Sequence, residues 1–446
     1  MKTSELSYCE WPYFSDGAEC FAHFSELPYA VFLDGGQPFR QQERYQIMSA
    51  EPLQTITAHS DNFLSIDIYS EVKKELECLK RVVLIPNAIA HLAFKIGAIG
   101  YISYDYSRGY YTLPGHAISD ISLPYAIFGI YDWSIVIDHH EKKTWLIAQS
   151  QTQLEWIKEQ LSHPPLSNPS FQITRPFKSN ISFEQYTDSF SKIKYHIRQG
   201  DCYQVNLCQR FNAPYEGSTW LAYQQLRQKN PTPFSAYLKF DHYVLLSLSP
   251  ERFLKVKNQW VETKPIKGTI ARFEDPDLDQ KAAQLLLNSE KDKTENIMIV
   301  DLLRNDLGKC CKPGSIRVPQ LAKLESFPNV HHLVSTIVGK LQEDQHALDL
   351  LKHCFPGGSI TGAPKLRAMQ IIDTLEHHRR SAYCGTISYV DVTGDMDSQI
   401  TIRTFISDSE QLYCYAGGAI VADSQVESEY EECHIKIKRL IDTLSR

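Results

Sequence analysis

Residues 245–270, LLSLSPERFLKVKNQWVETKPIKGTI, constrain the fold more than any other stretch of the chain. Leu246 and Leu248 alternate into Ser249-Pro250-Glu251-Arg252, and a second run delivers Lys264-Pro265-Ile266-Lys267-Gly268-Thr269. That pattern reads as two period-two strands that end in ionisable side chains. Glu251 and Lys267 stand sixteen positions apart, a spacing that suits neighbouring strands of a hairpin. Such a hairpin sets a carboxyl, able to act as acid or base, beside a nucleophilic amine, and Gly268 lets a backbone approach a ligand closely. An edge hairpin that merely carries charges has the same spacing, so the choice has to come from the rest of the chain.

With 446 residues, core size is no constraint, and 43% hydrophobic against 22% charged residues is a globular balance that excludes disorder. A net charge of -7 with no basic stripe argues against nucleic acid as a partner. None of the eleven cysteines forms a C-x-x-C pair, which removes a zinc ribbon or a thioredoxin-like motif and fits reduced thiols in the cytoplasm. No run of eighteen apolar residues and no signal-peptide core occur, so the expectation is a soluble protein off the membrane.

Residues 1–165 are mostly β by pattern, with the run Ala30–Leu33 before Asp34-Gly35-Gly36, further runs at 96–102 and 126–137, and short helices near Phe21–Leu27 and Glu71–Val82. Proline-rich residues 163–180 connect this region to residues 181–446, which carry the chemistry. There the pattern predicts an amphipathic helix capped by Ser182, one long helix from about Asp279 to Leu307, and a helix from Pro364 to Leu375 with Pro364 at its first position. Strands are expected near 203–211, 235–239, 384–390, 399–406 and 412–416. The closing helix has Val426, Tyr430, Cys433, Ile437 and Leu440 on one face. The mixed order favours an α+β fold.

Several residue sets can carry chemistry. Asp292 and Glu295 are three apart on one predicted helix, and Glu429 and Glu432 three apart on the last; two such pairs face to face need a hard cation, for which Mg²⁺ is the natural choice. Lysines at 291, 293, 436 and 438 equally allow plain solvated faces. The stretch Phe355–Lys365 fails as a Walker loop, because Ala363-Pro364 follow the second glycine. It remains a glycine-rich turn with two hydroxyls, Ser359 and Thr361, that leads into a helix whose free N–H groups could hold a carboxylate, and a tight turn that merely caps a helix fits equally. Arg403, alternating with Ile402 in a predicted strand, can fork onto a carboxylate beside the bare amides of Gly417-Gly418, near Tyr383. His331-His332 lies in an apolar run, and Arg304-Asn305-Asp306 reads as a structural helix end.

Together the segments SPERF (249–253), PIKGT (265–269), ENIMIVDLLRNDLG (295–308), VHHLVST (330–336), FPGGSITGAPK (355–365), ITIRT (400–404) and AGGAIVADS (416–424) resemble the chorismate-utilising enzymes, the family of anthranilate, isochorismate and salicylate synthases. The resemblance implies a large α+β unit, a two-layer antiparallel β-sandwich flanked by helices, with strands from both halves of the chain. It implies a Mg²⁺ ion on Glu295 and Glu432, with Asp292 and Glu429 assisting, that grips the ring carboxylate of chorismate. Tyr383, Arg403 and Gly417 would hold the enolpyruvyl carboxylate, and Gly268, Thr269, Ser359, Thr361 and Gly418 would line the substrate. Lysine rather than alanine at position 267 resembles the branch that aminates chorismate at C4: Lys267 would attack C2, Glu251 would protonate the departing C4 hydroxyl, and His332 would line the ring. Ammonia would come from a separate glutamine amidotransferase subunit, since no cysteine here has that enzyme's glycine-rich setting. In several relatives the N-terminal half holds tryptophan. Asp34 could meet an amino group, but the acidic-then-serine pattern of regulated members is missing.

Overall fold

A computed structural model describes residues 3–35, 44–60, 62–165, 170–327 and 330–445. Gly36, part of the expected turn after Asp34, lies outside the described residues. Two large sheets face each other. A thirteen-stranded sheet runs from Phe171–Ile173 through Gln204–Gly217, Gln411–Ile420, Thr404–Ser407, Val244–Ser249 and Phe234–Lys239 to Val31–Asp34, and ends at Ser7–Trp11. A ten-stranded sheet runs from Ile266–Ala271 through Val330–Lys340, Trp260–Thr263, Arg252–Lys257, Met396–Ile400 and Thr386–Asp391 to Gly97–Ile102, Ala126–Tyr131 and Gln54–Ala58. These ladders are antiparallel, and both sheets take strands from both halves of the sequence, as the α+β sandwich expectation requires.

Alternation along one strand shows why the layers stack. Leu245 points into the core between the sheets, with Leu254, Ile387 and Tyr101 from the other layer. Leu246 and Leu248 point the other way, into a second core with Ile193, Trp220, Leu226, Cys433 and Ile437 of the covering helices. A strand buried on both faces has no polar side, so its sequence is nearly continuous in leucine.

The opening stretch differs from a simple hairpin. Val244–Ser249 belongs to the larger sheet and Arg252–Lys257 to the smaller, so the chain changes layers at Ser249-Pro250-Glu251. The tight turn comes later, at Asn258 and Gln259, both with positive φ, between Arg252–Lys257 and Trp260–Thr263. Trp260–Thr263 and Ile266–Ala271 then pair in succession along Val330–Lys340. A period-two pattern cannot tell which of two stacked sheets a strand enters, and that is the reason for the difference.

The expected Gln399–Ile406 strand is also cut by a layer change, into Met396–Ile400 and Thr404–Ser407, with Arg403 at φ +51 between them. The two crossings lie side by side: Ile400 N donates to Glu251 O at 3.1 Å and Leu248 N to Arg403 O at 3.1 Å. The long helix is two, Pro276–Leu287 and Glu290–Gly308, because Ser289 caps the second by accepting from Asp292 N. Pro364 is the N-cap of Lys365–Leu375 rather than its first residue. The first short helix covers Gly17–Phe21, earlier than expected.

Candidate active site

Lys267 sits on Ile266–Ala271, where Gly268 makes a bulge against Val330–Lys340 and takes φ +76, a conformation glycine adopts at little cost. A Cβ at Gly268 would lie 3.0 Å from Asp292 Cβ and Cγ, so the first turn of the Glu290–Gly308 helix is seated on this bulge. Asn296, one turn further on, is fully buried and donates to Leu333 O, and Ser335 Oγ donates to its carbonyl. The helix is thereby pinned to the strand behind Lys267. Splitting the long helix has a consequence here, since it puts Asp292 in a first turn, where the helix dipole favours an anion.

The last helix, Val426–Leu444, brings the second acidic pair. A Cβ on Gly418 would lie 2.9 Å from Glu429 Oε2 and 3.7 Å from Glu432 Oε1, so both carboxyls close over the bare strand at Gly418. Burial raises the Glu295 carboxyl above its ordinary range; Asp292 and Glu432 add repulsion, against the pull of Lys267 and Lys291. Glu429 is raised as well, first by burial and then by Glu432, although Ser424 Oγ donates to it at 2.7 Å. Carboxyl oxygens are the donors a hard divalent ion takes, and Glu295 and Glu429 are each raised in part by a neighbouring acid. Among the described residues, however, the four carboxyls do not all close to within 4.8 Å of one another as His91, Asp138 and Glu141 do elsewhere. The lysines flank this set: Lys436 Nζ lies 2.5 Å from Glu432 Oε1 and 2.9 Å from Gly417 O, and Lys291 lies 4.0 Å from Glu295.

The amine of Lys267 is lowered from its ordinary value by burial, and Lys436 lowers it further, while Glu295, Glu251 and Glu432 oppose. Burial pushes the Glu251 carboxyl up to about 7, with Ser359 and Lys267 opposing. Burial thus moves the amine and the carboxyl each toward its neutral form, the direction that nucleophilic attack and acid catalysis require.

A third group lies beyond them. Tyr383 stacks on Tyr415 at 5.3 Å between ring centroids. The strand Gln411–Ile420 does not end at Ala416, as its pattern suggests, but continues through both glycines, paired on one side with Gln204–Gly217. On its other side, pairing with Thr404–Ser407 stops at Cys414. Extending that register puts Arg403 beside Ala416, at the open edge next to Gly417. Burial lowers the Arg403 guanidinium, and among the described residues no carboxylate pairs with it. A half-buried arginine without a carboxylate partner among the described residues, a tyrosine and an open strand edge are the groups that could receive an anion here.

Other candidates are used differently. Thr361 is buried and its hydroxyl donates to Gly357 O at 3.1 Å, inside its own turn. Ser359 donates to Glu251 Oε1 at 2.8 Å. His332 is buried, its Nδ1 is 2.8 Å from Thr269 Oγ1, and burial together with Arg403 lowers it to about 4, so it is a neutral ring beside the Gly268 bulge. His331 bonds Asp279 and Ser326 and ties down the Pro276–Leu287 helix. Asp306, at the end of Glu290–Gly308, takes Lys365 at 2.6 Å, which is structural. Arg380 was not singled out by its sequence: it is buried, pairs with Glu376 at 2.7 Å, and donates to Ile360 O and Asn206 O. Its only sequence signal is the four-residue spacing to Glu376.

Away from this site, a cavity of about 330 Å³ lies between the sheets, lined by Asp34, Tyr45, Phe234, Lys255, Tyr389 and Asp397 among others. The Asp34 carboxyl there already takes Arg227 at 2.5 Å and Gln46 at 2.6 Å.

Residues 30–442 match the chorismate binding enzyme family. The chain belongs to that family. It is 43% identical over 460 residues to an Escherichia coli (strain K12) protein named aminodeoxychorismate synthase component 1, covering all of both chains. It is 37% identical over 353 residues to anthranilate synthase component 1 of Thermus thermophilus, covering 77% of this chain and 76% of that one. The crystal structure of anthranilate synthase component I from Streptococcus pneumoniae TIGR4 superposes with a TM-score of 0.78 at 32% identity, covering 91% of this chain and 95% of the other. No helix among the described residues is long and apolar enough to cross a membrane.

Proposed function

We propose that this member of the family is an aminodeoxychorismate synthase component, which aminates chorismate at C4 to give 4-amino-4-deoxychorismate and water. The observation that carries the reading is Lys267, a half-buried residue whose amine has lowered basicity, set with a buried, protonatable Glu251 and the acidic pairs. The full-length likeness to proteins named for this activity supports it.

Lys267 attacks C2 as a neutral amine, both conjugated ring double bonds shift by one position, and the C4 hydroxyl leaves as water with a proton from Glu251. Ammonia then adds at C4, both double bonds shift back, and the C2–nitrogen bond breaks to release Lys267. Hydroxide is a poor leaving group, so the positioned acid bears on the hardest step. Arg403, Tyr383 and the strand edge at Gly417 hold the enolpyruvyl carboxylate. Glu295 and Glu432, with Asp292 and Glu429, would hold Mg²⁺, which when bound supplies positive charge to the ring carboxylate. Ammonia comes from a separate glutamine amidotransferase subunit, and the cytoplasm is the compartment that suits eleven unpaired thiols.

The test is an incubation of the chain with chorismate, Mg²⁺ and ammonium, with products resolved by mass and NMR. The reading expects 4-amino-4-deoxychorismate with its enolpyruvyl group intact. Pyruvate and anthranilate in its place would reassign the chain to amination at C2.

A further inference from the structure

The glycine-rich turn carries a serine, Ser359, that the resemblance places along the substrate. Its proton is spoken for. Ser359 is buried, and its Oγ donates to Glu251 Oε1 across 108 positions of sequence. The turn itself is anchored to the larger sheet: Asn206 Nδ2 donates to Ser359 O at 3.0 Å, and Arg380 donates to Ile360 O at 2.9 Å. Glu251 is anchored separately, at the layer crossing, where Ser249 Oγ accepts from its N–H at 3.2 Å and Ile400 N donates to its carbonyl. The serine–glutamate bond therefore joins two fixed supports through one side-chain contact. Glu251 Oε2 accepts nothing from the described residues and is not sealed in the core, so it faces open space.

We infer that Ser359 is a positioning residue for the acid: by donating to Oε1 it turns the Glu251 carboxyl so that its proton is carried on Oε2, toward the substrate. A carboxylic acid has one proton, and an oxygen that already accepts a strong donor is the poorer place for it. With Oε1 occupied, the proton resides on Oε2 and the donor direction is set without help from substrate. The titratable groups facing Glu251 from other elements are Lys267, on Ile266–Ala271, and Cys384, next to Tyr383. Neither supplies a hydrogen bond to the carboxyl, so among the described residues Ser359 is the donor that orients it.

This inference rests on Glu251 acting as the acid, and the test separates the two. Carbon-13 NMR titration of labelled Glu251 in the chain without substrate reads the bond directly. In Ser359→Ala, loss of a donor that favours the carboxylate moves the Glu251 midpoint upward by about one pKa unit. In Ser359→Thr, which keeps the hydroxyl, it stays near the wild-type value. In ammonia-dependent amination, Ser359→Ala loses about tenfold in kcat with KM for chorismate unchanged, and the alkaline limb of its rate profile moves up in pH. A Glu251 midpoint unmoved in Ser359→Ala overturns the inference, as does a rise in KM that accounts for the whole loss, because a substrate ligand would give that split. If wild type makes no aminated product, the proposed function fails while the NMR arm still reads the contact.

Discussion

Gly268→Ala tests how tightly the nucleophile and the acidic pair are coupled. The glycine has φ +76, where an L-residue costs roughly 1–2 kcal/mol. The new Cβ would also lie 2.9 Å from Leu286 Cδ1 and 3.0 Å from Asp292 Cβ and Cγ. Leu286 can swing its methyl away, since that atom is the end of a flexible side chain. Asp292 Cβ is one bond from the helix backbone, so relief there means shifting the first turn of Glu290–Gly308. Overpacking of this kind adds about 1–3 kcal/mol, for a total of about 2–5 kcal/mol. Urea denaturation reads the stability loss, and Mn²⁺ titration followed by electron paramagnetic resonance reads the acidic set. Affinity for the ion should fall about tenfold as Asp292 moves. Gly268→Asn separates the contributions, because asparagine tolerates the left-handed backbone but keeps the Cβ contact. An alanine variant with wild-type stability and wild-type ion affinity would refute the coupling.

Three further outcomes follow from the same geometry. With free ammonia held constant, the amination rate should fall as pH rises through about 7, because Glu251 loses the proton it donates; a rate that stays flat through neutrality removes it as the acid. Arg403→Lys keeps the charge but loses the fork, and KM for chorismate should rise about tenfold with a smaller change in kcat; an unchanged KM would place the carboxylate elsewhere. Lys95 and Asp391 form an ion pair with 1% and 0% of their side chains exposed, between the N-terminal part of the chain and Thr386–Asp391. Lys95→Met should cost about 3–5 kcal/mol in denaturation by leaving a buried carboxylate without its cation, and Asp391→Leu added to it should recover part of the loss.

The acidic pairs were legible from sequence because three-residue spacing on a helix fixes a shared face whatever the helix packs on. Arg403 was legible by residue type, but its backbone was not: a positive φ in an arginine is imposed by the neighbouring layer crossing and leaves no mark in periodicity. The same crossings hid the true course of the chain around Glu251. The break at Ser289 was missed because apolar residues keep helical spacing on both sides of it, and only the cap shows the restart. Ser359 stood out by its glycine-rich stretch, but its bond to Glu251 spans 108 positions and leaves no local mark in the sequence. Cys384, whose thiol is pushed up chiefly by burial and in part by the Glu251 carboxylate, had no sequence signal at all.

The central claim is that Lys267 forms the bond to C2. Its direct test is to mix the chain with chorismate and Mg²⁺ without ammonia, quench, and map the protein by mass spectrometry. The account predicts an adduct on Lys267 with the mass of chorismate less one water, absent from Lys267→Ala and discharged by added ammonium. C4 amination by Lys267→Ala at the wild-type rate, or an adduct on a different residue, would contradict it.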